Sequence, residues 1–222
     1  MDTGGLWRKD RALGATVVSR LGDVPAAQHG YFTRAQAAEV GVPDCDLTRS
    51  VQRGLIERVG HGVYRVAGAG HDPLADLRIA WLRLDPARGP RERVMQPTVW
   101  VTFGSAARVH GLGVFAGAGH TFTSARRIQT GGLVAVHRRV GGVPRADWEV
   151  KDGFAVTTVA RTTVDLLAAR TDGGHIGRFL DDALRVGAVT KDQLAHRLAV
   201  SHDDIEALIA QAAQHPAPAL HG

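Results

Sequence analysis

Apolar residues in the first third of the chain change their spacing several times, and each change marks an element. Leu13, Val17 and Leu21 recur at i, i+4 and i+8, with Thr16 and Arg20 elsewhere. That spacing predicts a helix from Ala12 to about Gln28, broken near Gly22-Asp23 because Pro25 does not fit a continuous helix. Thr33 is placed to N-cap a second helix through Ala35, Ala37, Ala38 and Val40, and Gly41 ends it. Val42-Pro43 makes a turn, and Asp44 or Asp46 caps a third helix running to about Arg53, stopped by Gly54. Leu47, Val51 and Leu55 form its apolar stripe. Leu55–Val59 and Val63–Val66 then read as short strands with Gly60-His61-Gly62 at the bend. Helix, turn, helix, hairpin over Tyr31–Val66 is the order of a winged helix-turn-helix.

A small-residue linker, Ala67 to His71, follows, and a domain boundary is expected there. Asp72-Pro73 opens another helix with Leu74, Leu77, Trp81 and Leu84 on its apolar side, and Pro86–Pro97 reads as a polar loop. Thr98–Phe103 is a strand running into a short helix from Ser105 to Gly111. His120–Thr123, Leu133–Val140 and Phe154–Thr157 read as strands. Four helical segments follow: from Val159, Ile176–Val186, Lys191–Leu198 and Asp203–Ala213. Thr190 caps the third of these, and Ser201 or Asp203 the fourth. The expected class is α+β: a winged helix-turn-helix over 1–70, a mixed α/β domain with a helical C-terminal tail over 71–215, and a frayed 216–222.

Composition narrows the picture. A 222-residue chain with 44% hydrophobic residues can bury a substantial core. No apolar run is long enough for a membrane span, and MDTGGLWRKD lacks the apolar core of a signal peptide, so a cytoplasmic protein with no membrane partner is expected. The single cysteine, Cys45, rules out an internal disulfide and reads as a small buried or half-buried side chain beside a helix cap. The net charge is +5, but residues 86–151 alone carry +7, against +2 for residues 1–70. A basic stretch of that kind suits a polyanion or an acidic protein surface.

The residues opposite the Leu47 stripe are suited to double-stranded DNA. Arg49 and Arg53 can grip guanine edges through two bonds, Gln52 an adenine edge, and Thr48 a phosphate or thymine methyl. Thr33, Arg34, Arg58, His61 and Arg65 are further candidate contacts around that helix and in the hairpin. Arg126, Arg127, Arg138 and Arg139 form a candidate partner or polyanion patch. Enzymatic readings meet obstacles. Phe103-Gly104-Ser105 resembles the Gly-Ser of a nucleotidyltransferase, yet no Asp or Glu occurs between Glu92 and Asp147 to hold metal ions. Glu149-Val150-Lys151 has a nuclease-like spacing that lacks its upstream acid. The eleven histidines show no metal-ligand spacing, so no metal or cofactor is expected. Ser105 reads as a helix cap, His110 as a buried hydrogen-bonding ring, and Arg161 with Asp165 as an i, i+4 pair.

Three stretches together resemble the AbiEi-like antitoxin family of type IV toxin–antitoxin and phage-defence systems. They are YFTRAQAAEVGVPDCDLTRSVQRGLIERVGHGVYRV, the segment Val101–Leu112 with its Ser-Ala-Ala…His-Gly-Leu, and Val136-His137-Arg138 followed by Val156–Leu166. The resemblance implies a non-enzymatic repressor that binds its own promoter, at repeats, and whose C-terminal domain opposes a nucleotidyltransferase-like toxin. The alternative is a protein-interaction module or degenerate nuclease-related protein of a defence system with no cognate toxin.

Overall fold

The computed structural model describes residues 17–115, 119–171 and 173–214. The first five residues of the expected opening helix, 12–16, and the tail 216–222 lie outside them. The class is α+β, and the chain divides into two units, Met1–Pro97 and Thr98–Gly222.

In the first unit, residues 17–21 are helical and the break falls where expected, at Gly22 with φ +53°. A turn of 3-10 helix, Ala26–Gln28, leads into a strand that the alternation did not reveal, β1 (Tyr31–Thr33). All three residues of β1 are buried, so it has no polar face to mark it. Helix α1 (Arg34–Glu39) is capped by Thr33, which accepts from the Gln36 amide while the Gln36 side chain reaches back to the Thr33 N–H. Gly41, at φ +74°, takes the left-handed position that ends it. Helix α2 (Asp44–Gln52) begins at Pro43 rather than at a side-chain cap. Asp44 and Asp46 instead lie in its first turn, where carboxylates favour the positive helix end. Strands β2 (Ile56–Gly60) and β3 (Val63–Val66) form the hairpin, and β1 pairs antiparallel with β3 to give the sheet order β1-β3-β2. Phe32, Ala37, Val42, Leu47 and Ile56 close the core beneath.

The boundary expected at 70/71 is displaced to 97/98. Helix α3 (Ala75–Leu84) packs on the winged sheet, and the expected loop contains helix α4 (Pro90–Met95), with Pro90 in its first turn. Two buried cations hold this extension, and sequence polarity disguised both. Arg93 lies over the Trp81 ring at 5.1 Å, and its guanidinium donates to the carbonyls of Leu82, Asp85 and Arg88. Burial lowers its pKa to about 10, so it stays charged at neutral pH. Arg78 donates from Nε to Asp72 at 2.7 Å, both side chains 2% exposed.

In the second unit, β4 (Val99–Val101) leads into α5 (Phe103–His110), which ends at left-handed Gly111. Strands β5 (His120–Ser124), β6 (Val134–Arg138), β7 (Trp148–Lys151) and β8 (Phe154–Thr157) complete a sheet of order β6-β5-β4-β8-β7. Strand β7 was not expected: it is an edge strand of four residues, and the alternation of Trp148-Glu149-Val150-Lys151 is too short to stand out. Helices α6 (Val159–Ala168), α7 (Gly173–Arg185), α8 (Lys191–Leu198) and α9 (His202–Gln214) follow. Thr158 caps α6, and Thr190 with Gln193 makes a capping box on α8. Ser201 and Asp204 exchange the same reciprocal bonds at the start of α9. Phe179, Leu180, Leu194 and Ile205 carry the core of this helical layer.

The Asp72–Arg78 pair links stability to pH. Burial alone would raise the Asp72 pKa, but the hydrogen bonds from Arg78 and from the Leu74 N–H outweigh it and hold the carboxyl below its ordinary value. Its contribution is therefore complete above an unfolded pKa of about 4 and is lost as pH falls through the lower folded value. Asp72→Asn should cost about 3 kcal/mol at neutral pH, because it leaves Arg78 buried without its counter-charge. Urea denaturation of both proteins at several pH values is the check, with the gap expected to narrow on acidification.

Candidate nucleic-acid interface

Helix α2 turns two different faces outward and inward. Leu47 and Ser50 are buried and Val51 half-buried, so this side seats the helix on the core. Cys45, Thr48, Arg49 and Gln52 fall at i, i+3, i+4 and i+7 and are all exposed, with Arg53 exposed just past the helix end. The Thr48 hydroxyl donates to the Asp44 carbonyl at 2.9 Å, which uses its proton and leaves oxygen lone pairs to accept. Arg49 meets Asp46 at 3.2 Å in an exposed i, i+3 pair. Such a pair is worth little in water, so Arg49 can exchange it for another acceptor at small cost. Cys45 is exposed, which corrects the expectation of a buried or half-buried thiol. It sits on the polar side of an amphipathic helix, where composition alone does not place it.

The hairpin adds two more groups. The β2–β3 register slips between Arg58 and Gly60, and His61-Gly62 makes the tip, with Gly62 at φ +68°. Arg58 and His61 are exposed. Arg34 is exposed at the start of α1, ion-paired through its guanidinium with Asp44, and its N–H donates to the Gly62 carbonyl at 2.9 Å. The structure thus brings the α2 face, Arg34 and the hairpin tip into one region.

Two expected members do not join it. Thr33 is fully buried: its oxygen caps α1 and its hydroxyl donates to the Pro86 carbonyl. Cap residues and contact residues share the same chemistry, and only burial separates them. Arg65 is half-buried over the Tyr31 ring at 5.0 Å, with its guanidinium donating to the Gly70 carbonyl. It braces β3 against β1 rather than facing solvent. Sequence reasoning missed Arg83, which is exposed on α3 and lines the same groove as Arg34 and His61. Its signal was present, since it falls off the Leu77–Trp81–Leu84 side, but the early domain boundary assigned it elsewhere.

The second unit gathers the other four arginines. Strands β5 and β6 run parallel with Ser124 opposite Arg138, so Arg126-Arg127 and Arg138-Arg139 leave the sheet at the same end. The Ser124 carbonyl accepts from the Arg139 N–H at 2.9 Å, and the Ser124 hydroxyl from the Arg126 N–H at 3.3 Å. Arg126, Arg127 and Arg138 are exposed and Arg139 is half-buried.

Ser105 and His110, both weighed for catalysis, are engaged in holding the fold. Ser105 is not a cap. It lies inside α5, and its oxygen accepts from the Thr121 N–H at 2.9 Å, fastening the helix to β5. His110 bonds through Nε2 to the Thr157 carbonyl at 2.7 Å. Burial holds its pKa below the ordinary imidazole range, so the ring is neutral and Nε2 carries the proton. Glu149 lies 3.7 Å from the other ring nitrogen, beyond hydrogen-bond distance. Arg161 pairs with Asp165 at 2.7 Å, and Asp147 is shared between Arg161 and Arg197. Among the described residues no three His, Cys, Asp or Glu side chains are grouped to hold a metal ion, and no helix is long and apolar enough to cross a membrane.

A search of the curated proteins found no match. Residues 24–67 match a family model, AbiEi_4, described as "Transcriptional regulator, AbiEi antitoxin". The match begins before β1 and ends just past β3, so it takes in α1, α2 and the hairpin. The winged part of this chain is therefore similar to the AbiEi antitoxin transcriptional regulators.

Proposed function

We propose that the protein is an antitoxin of the type IV kind that binds double-stranded DNA in its own promoter and represses its own operon. The exposed polar face of α2, within the segment that matches the antitoxin regulators, carries this reading. On DNA, α2 lies in the major groove with Arg49, Gln52 and Arg53 toward base edges and Thr48 toward a phosphate or a thymine methyl. Arg34, Arg58 and His61 meet backbone phosphates and set the register. This is a binding function with no catalytic residue, exercised in the cytoplasm where the promoter is. The second unit opposes a nucleotidyltransferase-like toxin, and Arg126, Arg127, Arg138 and Arg139 form the surface offered to that partner or to a polyanion.

A gel shift on the DNA upstream of the gene, repeated at several salt concentrations, tests the first half. Binding should be sequence-specific, and Arg49→Ala and Arg53→Ala should each weaken it by about 1–3 kcal/mol while sparing binding to unrelated DNA. Equal affinity of the wild-type protein for upstream and unrelated DNA would contradict the reading. Co-expression with an adjacent nucleotidyltransferase gene tests the second half. Growth should be rescued, and toxicity left unchanged would count against the antitoxin role.

A further inference from the structure

The groove between α1, the hairpin tip and the C-terminal end of α3 contains a cation that the winged motif itself does not supply. It has a volume of about 460 Å³, with Arg34, His61 and Arg83 around it and Ala38, Val63 and Pro86 among its apolar lining. Three contacts fix its walls. The Arg34 N–H donates to the Gly62 carbonyl at 2.9 Å, which sets the start of α1 against the tip. The Thr33 hydroxyl donates to the Pro86 carbonyl, which sets α1 against the segment after α3. Ile79 of α3 meets the hairpin at Gly60, where an added Cβ would stand 2.9 Å from its methyl. Arg83 follows Ile79 by one helical turn and so flanks the tip that begins at His61.

We infer that this groove seats a phosphate of the DNA backbone, with Arg83 and Arg34 supplying the positive charge and the His61 ring a hydrogen-bond donor. The inference rests on the DNA-binding reading above and extends it to a residue outside the segment that matches the family model. Charge selects the occupant. Two nearby acids are already engaged: Asp44 is ion-paired to Arg34, and half-buried Asp85 stands 4.0 Å from Arg88. The Arg34–Asp44 pair is exposed on both sides, 63% and 57%, so water already screens it and Arg34 can turn to a stronger anion. Position favours DNA over a free anion, because Asp44 opens α2 and the Arg34 pair joins the groove to the face carrying Thr48, Arg49 and Gln52. The apolar lining suits a deoxyribose beside the phosphate.

Binding through Arg83 is electrostatic and indifferent to sequence, so it has its own signature. Each neutralised phosphate contributes about 0.9 to the slope of log affinity against log salt. Arg83→Ala should weaken binding to upstream and unrelated DNA by the same factor and make the slope shallower by about 0.9. Arg83→Lys should keep the slope. Arg83 is exposed, so circular dichroism and thermal melting should match wild type. If Arg83→Ala leaves slope and affinity unchanged while Arg49→Ala loses specificity, the groove does not hold a phosphate and the DNA reading stands. Arg83-dependent binding of millimolar inorganic phosphate that leaves DNA affinity unchanged would show a free-anion site and overturn the backbone assignment. Failure of the wild-type protein to bind DNA at all removes both readings together, whereas equal binding to upstream and unrelated DNA with the Arg83 slope change intact removes only the promoter reading.

Discussion

The winged unit depends on one buried amide. The side chain of Gln36 has two donors and two acceptor lone pairs, and all four are used. Its oxygen accepts from the Thr33 N–H at 2.9 Å and from Gln28 at 3.1 Å. Its nitrogen donates to Gln28 at 3.1 Å and to the Arg88 carbonyl at 2.7 Å. Those partners belong to the 3-10 turn, to β1 at the start of α1, and to the segment between α3 and α4. A single residue, 2% exposed, thus ties together the entry to the sheet, helix α1 and the helices beyond the hairpin. A buried polar network of this kind fixes one arrangement, because any other leaves donors or acceptors unpaired at about 1–3 kcal/mol each.

That constraint reaches the proposed interface through Thr33 and Arg34. Thr33 is held inward by the cap, so the next residue, Arg34, emerges at the surface beside the hairpin tip. Its pair with Asp44 then reaches the first turn of α2. The exposed face of α2 is set from below by Leu47, Ser50 and Val51, and from the side by this short chain of contacts. The proposed DNA-facing groups stand on a framework in which the amide network of Gln28, Thr33 and Gln36 is internally satisfied. Exposed pairs such as Arg49–Asp46 are the weak ones, and these can be given up on binding.

Local signals were legible where a helix end or a two-fold alternation wrote them into the chain. Thr33, Gly41, Gly54 and Thr190 act as expected, and α8 spans the same residues that its pattern predicts. Three kinds of information stayed hidden. Strand β1 is buried along its whole length and so carries no alternation. Helix α4 looks polar because its key residue is an arginine, and nothing local says that Arg93 folds back onto Trp81 and three carbonyls. At the site, residue type alone could not sort Thr33 and Arg65, which brace the fold, from Thr48 and Arg58, which face solvent. Arg83 was lost because the glycine-rich stretch after Val66 looks like a linker. In the structure the Asp72–Arg78 pair anchors the start of α3, and Ile79 seats that helix against Gly60 of the hairpin.

The central claim is that the exposed face of α2 meets DNA, and the chain supplies its own probe for it. Cys45 is the single cysteine, it is exposed, and it shares that face with Thr48, Arg49 and Gln52. The rate at which an alkylating reagent modifies the thiol, measured with saturating upstream DNA and without DNA, reports directly on whether α2 is covered. The account expects alkylation to slow several-fold with upstream DNA and to recover when salt dissociates the complex. An unchanged rate under conditions where the DNA is fully bound would place the contact elsewhere and contradict it.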